Sequence, residues 1–150
     1  MEQRYIDELY AAFQCYPLQD KIDGCPHCEL DKSEKSLHGR SLRELTWSDF
    51  GVYPFKAMTT FGDVNDFKHF LPRLLELYVT AHAGSFYGVE ILFEKLQYAH
   101  WETWPASEIK AVRNYVQAWY QMLDSQAKDA EESRKLEELQ TALSEVGLDR

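Results

Sequence analysis

The chain has 150 residues, of which 45% are hydrophobic and 14% aromatic, and its 25 acids against 16 bases give a formal charge of −9. This is one domain's length with enough apolar material for a core, which excludes a largely disordered chain. An acidic surface disfavours phosphate backbones, so nucleic acid is not an expected partner.

No stretch approaches the roughly 18 uninterrupted apolar residues of a membrane span, so no membrane association is expected. The start, MEQRYIDELYAAFQCY, is acidic and amphipathic, unlike the basic and then apolar start of a secretory signal. The chain therefore reads as cytoplasmic. Its negative charge is uneven: residues 1–50 and 124–150 each carry −4, and 51–123 carry −1.

Along the chain, helical periodicity dominates. Ile6, Leu9, Tyr10 and Phe13 fall at i, i+3, i+4, i+7, which predicts a helix ended by Pro17. Residues 17–40 read as a polar, loop-like connection holding Gly24, Gly39 and the motif CPHC at 25–28. Thr46 with Asp49 forms a capping box for a short helix, WSDFG. Pro54 suits the first turn of the next helix, PFKAMTTF, which Gly62 closes.

Asp63 with Asp66 opens the long segment DVNDFKHFLPRLLELYVTAH, in which Pro72 predicts a kink or two abutting helices. Gly84 and Gly88 bracket a turn. A helix then runs from Val89 through Leu92, Phe93, Leu96 and His100 until WETWP breaks it. After Pro105, Ile109, Val112, Val116, Trp119, Tyr120 and Leu123 form the strongest apolar stripe. Leu136, Leu139, Leu143 and Val146 form a narrow seam closed by Gly147. No run alternates long enough for a strand. The expected fold is an all-α compact bundle of about six or seven helices in a single domain, 1–150, ending in an antiparallel helical hairpin.

The Cys-x-x-Cys spacing supplies either a redox dithiol or half of a zinc site. A thioredoxin-like dithiol needs its first Cys at a helix N-terminus after a buried strand, and YPLQDKIDG before Cys25 offers neither. Zinc needs about four ligands; Cys25 and Cys28 with Cys15 and His38 would make a Cys₃His set. A turn with reduced thiols needs no ligand and is preferred, so no cofactor is expected, with zinc as the alternative.

His82 and His100 lie on apolar stripes and read as core histidines, outside any HExxH or ExxH pattern. GDVND lacks the further ligands of a calcium loop, and capping explains Asp63 and Asp66 better. Ser85 in AGSFYG lacks the second Gly of a nucleophile elbow. No nucleophile, base and oxyanion donor assemble, so the chain is not read as an enzyme.

The segment TTFGDVNDFKHFLPRLLEL, residues 59–77, resembles a stretch in a group of small uncharacterised bacterial all-helical proteins with a Cys pair upstream and a Trp-rich helical half downstream. The resemblance spans about Cys25 to Trp119. It implies an all-helical bacterial protein and brings no activity and no catalytic residue with it.

The expected function is that of an inhibitor that binds and neutralises a more basic protein, such as a toxin, in the manner of an immunity protein or antitoxin. Charge would steer the encounter and aromatics would anchor it. The candidate contact residues are Trp101, Glu102, Trp104 and Glu108 around WETWP, with Glu131, Glu132, Glu137 and Glu138 on the last helix. For the two tryptophans a core corner is the preferred alternative. A zinc-stabilised structural or regulatory module built on CPHC, and an enzyme with a scattered site, are the other two readings.

Overall fold

The computed structural model describes residues 1–81 and 88–150. His82, Gly84 and Ser85 lie outside the described residues. The described residues are all-helical: eight α-helices, two short 3₁₀ turns at Leu42–Glu44 and Trp101–Thr103, and no strand beyond two isolated bridges. No helix among them is long and apolar enough to cross a membrane. The chain forms two compact units, one of Phe13–Leu77 and one of Met1–Ala12 with Tyr78–Arg150.

In the unit of Phe13–Leu77, the connection expected at 17–40 contains a helix, α2 (Asp31–Leu37), following α1 (Gln3–Phe13). Burial of Ile22, Leu30 and Leu37 holds it down, and Glu34 accepts the backbone N–H of Ile22 at 2.7 Å. The helix α3 (Trp47–Phe50) carries the expected capping box, with the Thr46 N–H donating to Asp49 Oδ2 at 2.8 Å.

PFKAMTTF is not one helix. After α4 (Tyr53–Lys56), Met58 adopts a left-handed φ of 64°, and the chain turns back so that Phe61 bridges Gly24 and is buried. Tertiary pairing and burial of one aromatic ring outweigh local helix propensity here.

Asp63 and Asp66 exchange reciprocal bonds with each other's backbone N–H, at 2.8 and 2.9 Å, at the start of α5 (Val64–Ala81). Pro72 stands inside α5 without dividing it. Phe50, Tyr53, Phe61 and Phe70 form an edge-to-face cluster with ring centroids 4.9 to 5.6 Å apart across three of its pairs.

In the other unit, α6 spans Val89–Tyr98, α7 Ala106–Gln126 and α8 Ala130–Glu145. Only three residues join α7 to α8, and Arg113 near the start of α7 bonds the Gly147 carbonyl beyond the end of α8. The pair is therefore the expected antiparallel hairpin. Leu136, Leu139 and Leu143 are buried as the seam required, while Val146 is the half-buried residue that caps α8. On α7 the buried stripe is Ala111, Val112, Tyr115, Val116 and Trp119, with Ile109, Tyr120 and Leu123 only half-buried.

Candidate functional site

The C-terminus of α8 ends in a Schellman arrangement. Leu148 N–H donates to Leu143 O at 2.9 Å, Gly147 N–H donates to Ser144 O at 3.1 Å, and Gly147 has φ 73°. Leu148 and Leu143 are both buried, which supplies the apolar contact of that motif. The turn presents the carbonyls of Val146 and Gly147 outward from the helix end. Trp101 Nε1–H donates to Val146 O at 3.1 Å, Gln97 donates to Glu145 O at 3.2 Å, and Arg113 reaches Gly147 O at 3.4 Å.

These bonds create a groove of about 470 Å³. One wall is Gln97, Trp101 and Glu102; the other is Ser144, Glu145, Val146, Gly147 and Arg150. Trp101, only 1% exposed, forms the floor, with the Arg113 guanidinium 5.2 Å from its ring centroid. Glu102 and Glu145 are exposed carboxylates on the two walls. Lys110, Arg113, Asn114, Gln117 and Arg150 help line a second groove of about 480 Å³, and Arg150 is common to both.

Burial removes part of the expected contact set. Trp101 and Trp104 are 1% and 8% exposed, and Trp104 Nε1–H donates to Ala99 O at 3.0 Å. They are the core corner, not exposed anchors, because each ring buries its area while its N–H meets a helix-end carbonyl. Glu108, 3% exposed, likewise offers no outward carboxylate.

Glu102, Glu131, Glu132, Glu137 and Glu138 are exposed. They do not converge: Glu131 and Glu132 lie at the start of α8, roughly 20 Å along its axis from Glu145 at a rise of about 1.5 Å per residue. Glu131 is paired with Lys135 at 2.9 Å and Glu138 with Arg134, while Glu132 accepts Lys128 N–H at 2.6 Å. Sequence reasoning missed Glu145 and the groove itself, whose walls are more than 40 residues apart in the chain; Gly147 at the helix end was its nearest signal.

His100 is not a core histidine. It follows α6 at φ 51°, is largely exposed, and its N–H bonds Gln97 O at 2.9 Å, so it occupies a left-handed helix-end position.

The four zinc candidates are not gathered. Among the described residues, no three His, Cys, Asp or Glu side chains are grouped to hold a metal ion. Cys15 is exposed beyond the end of α1, and His38 Nε2 faces Glu34 at 3.7 Å. Residues 25–28 form a turn, with Cys28 N–H donating to Cys25 O at 3.1 Å, fastened by Cys25 N–H to Thr60 O at 2.9 Å. The Cys28 thiol, the His27 N–H and, more weakly, Lys56 hold the Cys25 thiol below its ordinary range. Cys28 is raised by the same contact with Cys25 and by desolvation.

Two further polar residues on α5 serve the fold. Lys68 Nζ donates to Tyr16 Oη at 3.0 Å, and His69 Nδ1 donates to the Tyr16 carbonyl at 2.7 Å. Comparison of the chain with protein-family models, with characterised proteins and with solved structures found no match.

Proposed function

We propose that the chain is a protein-binding module for a basic partner, acting by occlusion in the manner of an immunity protein or antitoxin. Its contact surface centres on the groove between Trp101–Glu102 and the end of α8. The observation that supports this reading is the juxtaposition there of Glu102 and Glu145, on opposite walls of an aromatic-floored concavity. A lysine or arginine entering it meets carboxylates on both sides above the buried indole, while Arg113 and Arg150 limit how an incoming cation is oriented. Glu137 and Glu138 extend the acidic surface along α8 and steer the encounter more than they hold it.

The test is titration of the isotopically labelled full chain with an arginine-rich peptide, followed by NMR. Saturable, salt-sensitive shifts concentrated at the Trp101 indole and residues 144–147 support the reading. Uniform small shifts at every exposed carboxylate contradict it and reduce the acidity to a solubility device.

A further inference from the structure

The CPHC turn carries chemistry that the binding surface does not use. All three cysteines are free thiols, and Cys25 and Cys28 are both partly exposed. A turn closed by an i to i+3 bond keeps its end Cα atoms under about 7 Å apart, and a disulfide requires about 4.4–6.8 Å. The Cys28 N–H to Cys25 O bond of 3.1 Å closes such a turn. Each thiol shifts the other, Cys25 downward and Cys28 upward. The backbone at the turn is held from outside: Cys25 N–H bonds Thr60 O, Gly24 bridges Phe61, and Gly62 N–H donates to Asp23 O at 2.6 Å. The turn thus brings the two residues to about the Cα spacing that a disulfide spans, on a backbone held from outside.

We propose that Cys25 and Cys28 are a site of thiol–disulfide exchange with low-molecular-weight disulfides, Cys25 attacking and Cys28 resolving. The Cys25 thiolate attacks one sulfur of the disulfide RSSR, the S–S bond breaks, and one RS⁻ leaves to take up a proton. Cys28 then loses its proton to water or to released thiolate and attacks the Cys25 sulfur of the mixed disulfide, expelling the second RS⁻. The balance is one protein dithiol plus RSSR giving one protein disulfide plus two RSH.

The division of roles follows the opposite directions in which the turn shifts the two thiols. Cys25 receives the Cys28 thiol and the His27 N–H, both of which stabilise negative charge on its sulfur, and the Lys56 ammonium adds to this. Cys28 spends its proton on that bond. A helix N-terminus, which thioredoxin-like sites use for the same purpose, is replaced here by the Cys28 thiol and the backbone of the turn, with Lys56 a smaller addition.

The test uses the reduced full-length protein. Limiting iodoacetamide followed by peptide mass spectrometry should label Cys25 several-fold faster than Cys28 or the exposed Cys15, and Lys56→Gln should slow Cys25 without altering Cys15. Glutathione disulfide should convert the wild type to an internal Cys25–Cys28 disulfide, and Cys28→Ser should stop at a glutathione adduct on Cys25. Faster labelling of Cys28 or Cys15, or a persistent adduct on Cys25 in the wild type, would overturn the proposal. The wild-type measurements stand even where a variant folds poorly.

Discussion

The indole N–H of Trp101 donates to the carbonyl of Val146 at 3.1 Å, joining the turn after α6 to the closing turn of α8 across 45 residues of sequence. That bond gives the groove its floor and fixes the distance between its walls. Trp101→Phe removes the donor, leaves Val146 O in need of water, and shrinks a ring that is 1% exposed. A loss of roughly 1–3 kcal/mol is expected in denaturant melts. The far-UV circular dichroism of the native state should remain helical.

His100 offers the opposite change. It holds φ 51° at a helix end where glycine is the favoured residue, and its side chain is 77% exposed. His100→Gly should therefore stabilise the protein by about 0.5–1 kcal/mol, since a non-glycine residue in this region carries a steric penalty. A lower melting temperature for this variant would show that the imidazole makes a contact worth more than the strain.

Two glycines with the same φ of 73° separate backbone strain from crowding. A Cβ at Gly147 meets nothing within 4 Å, whereas one at Gly62 would lie 2.8 Å from Asp66 Oδ2 and 3.0 Å from Ile22 Cγ2. Gly147→Ala should cost about 1 kcal/mol, the left-handed penalty alone. Gly62→Ala should cost measurably more, because it also displaces the Asp66 carboxylate that accepts the Asp63 N–H. Equal losses would mean that the Asp63–Asp66 pair yields freely.

His69 supplies a pH dependence. Burial lowers its pKa below the ordinary 6.5, with the bond to the Tyr16 carbonyl opposing. The unfolded chain therefore takes up the proton at a higher pH than the folded one. The contribution is fully present above the unfolded value and is lost as pH falls through the folded one. Asp66 runs the other way: burial raises it above 3.8, so its contribution is present below that value and is lost as pH rises through the folded pKa. Replacing His69 with Asn, which keeps a donor for Tyr16, should flatten stability between about pH 7 and pH 5 in melts at stepped pH.

Much of this fold is legible in the sequence because its signals are local. Thr46 with Asp49 and Asp63 with Asp66 are caps three residues apart, and the leucines of α8 mark one face of one helix. What failed was set by distant partners. The short α2 is polar and becomes stable through Leu30 and Leu37 with help from Ile22, so periodicity alone passes over it. PFKAMTTF is cut short by the pairing of Phe61 with Gly24, which no local pattern announces. The candidate surface was half visible: the exposed acids were readable as residue types. The burial of Trp101, Trp104 and Glu108, and the placing of Glu102 and Glu145 along one groove, required the packing of α6 against α8.

On the proposed function, a basic partner is held at the Trp101 groove and not by acidity at large. The most direct measurement is the affinity of the arginine-rich peptide for three proteins at two salt concentrations. They are the wild type, the pair Glu102→Gln with Glu145→Gln, and the pair Glu131→Gln with Glu132→Gln. Both pairs remove the same formal charge, so a general electrostatic effect weakens them equally. At least a tenfold loss is expected for the groove pair, about 1.4 kcal/mol, with a small change for the pair at the start of α8. Equal losses in the two variants, or none in either, would contradict it.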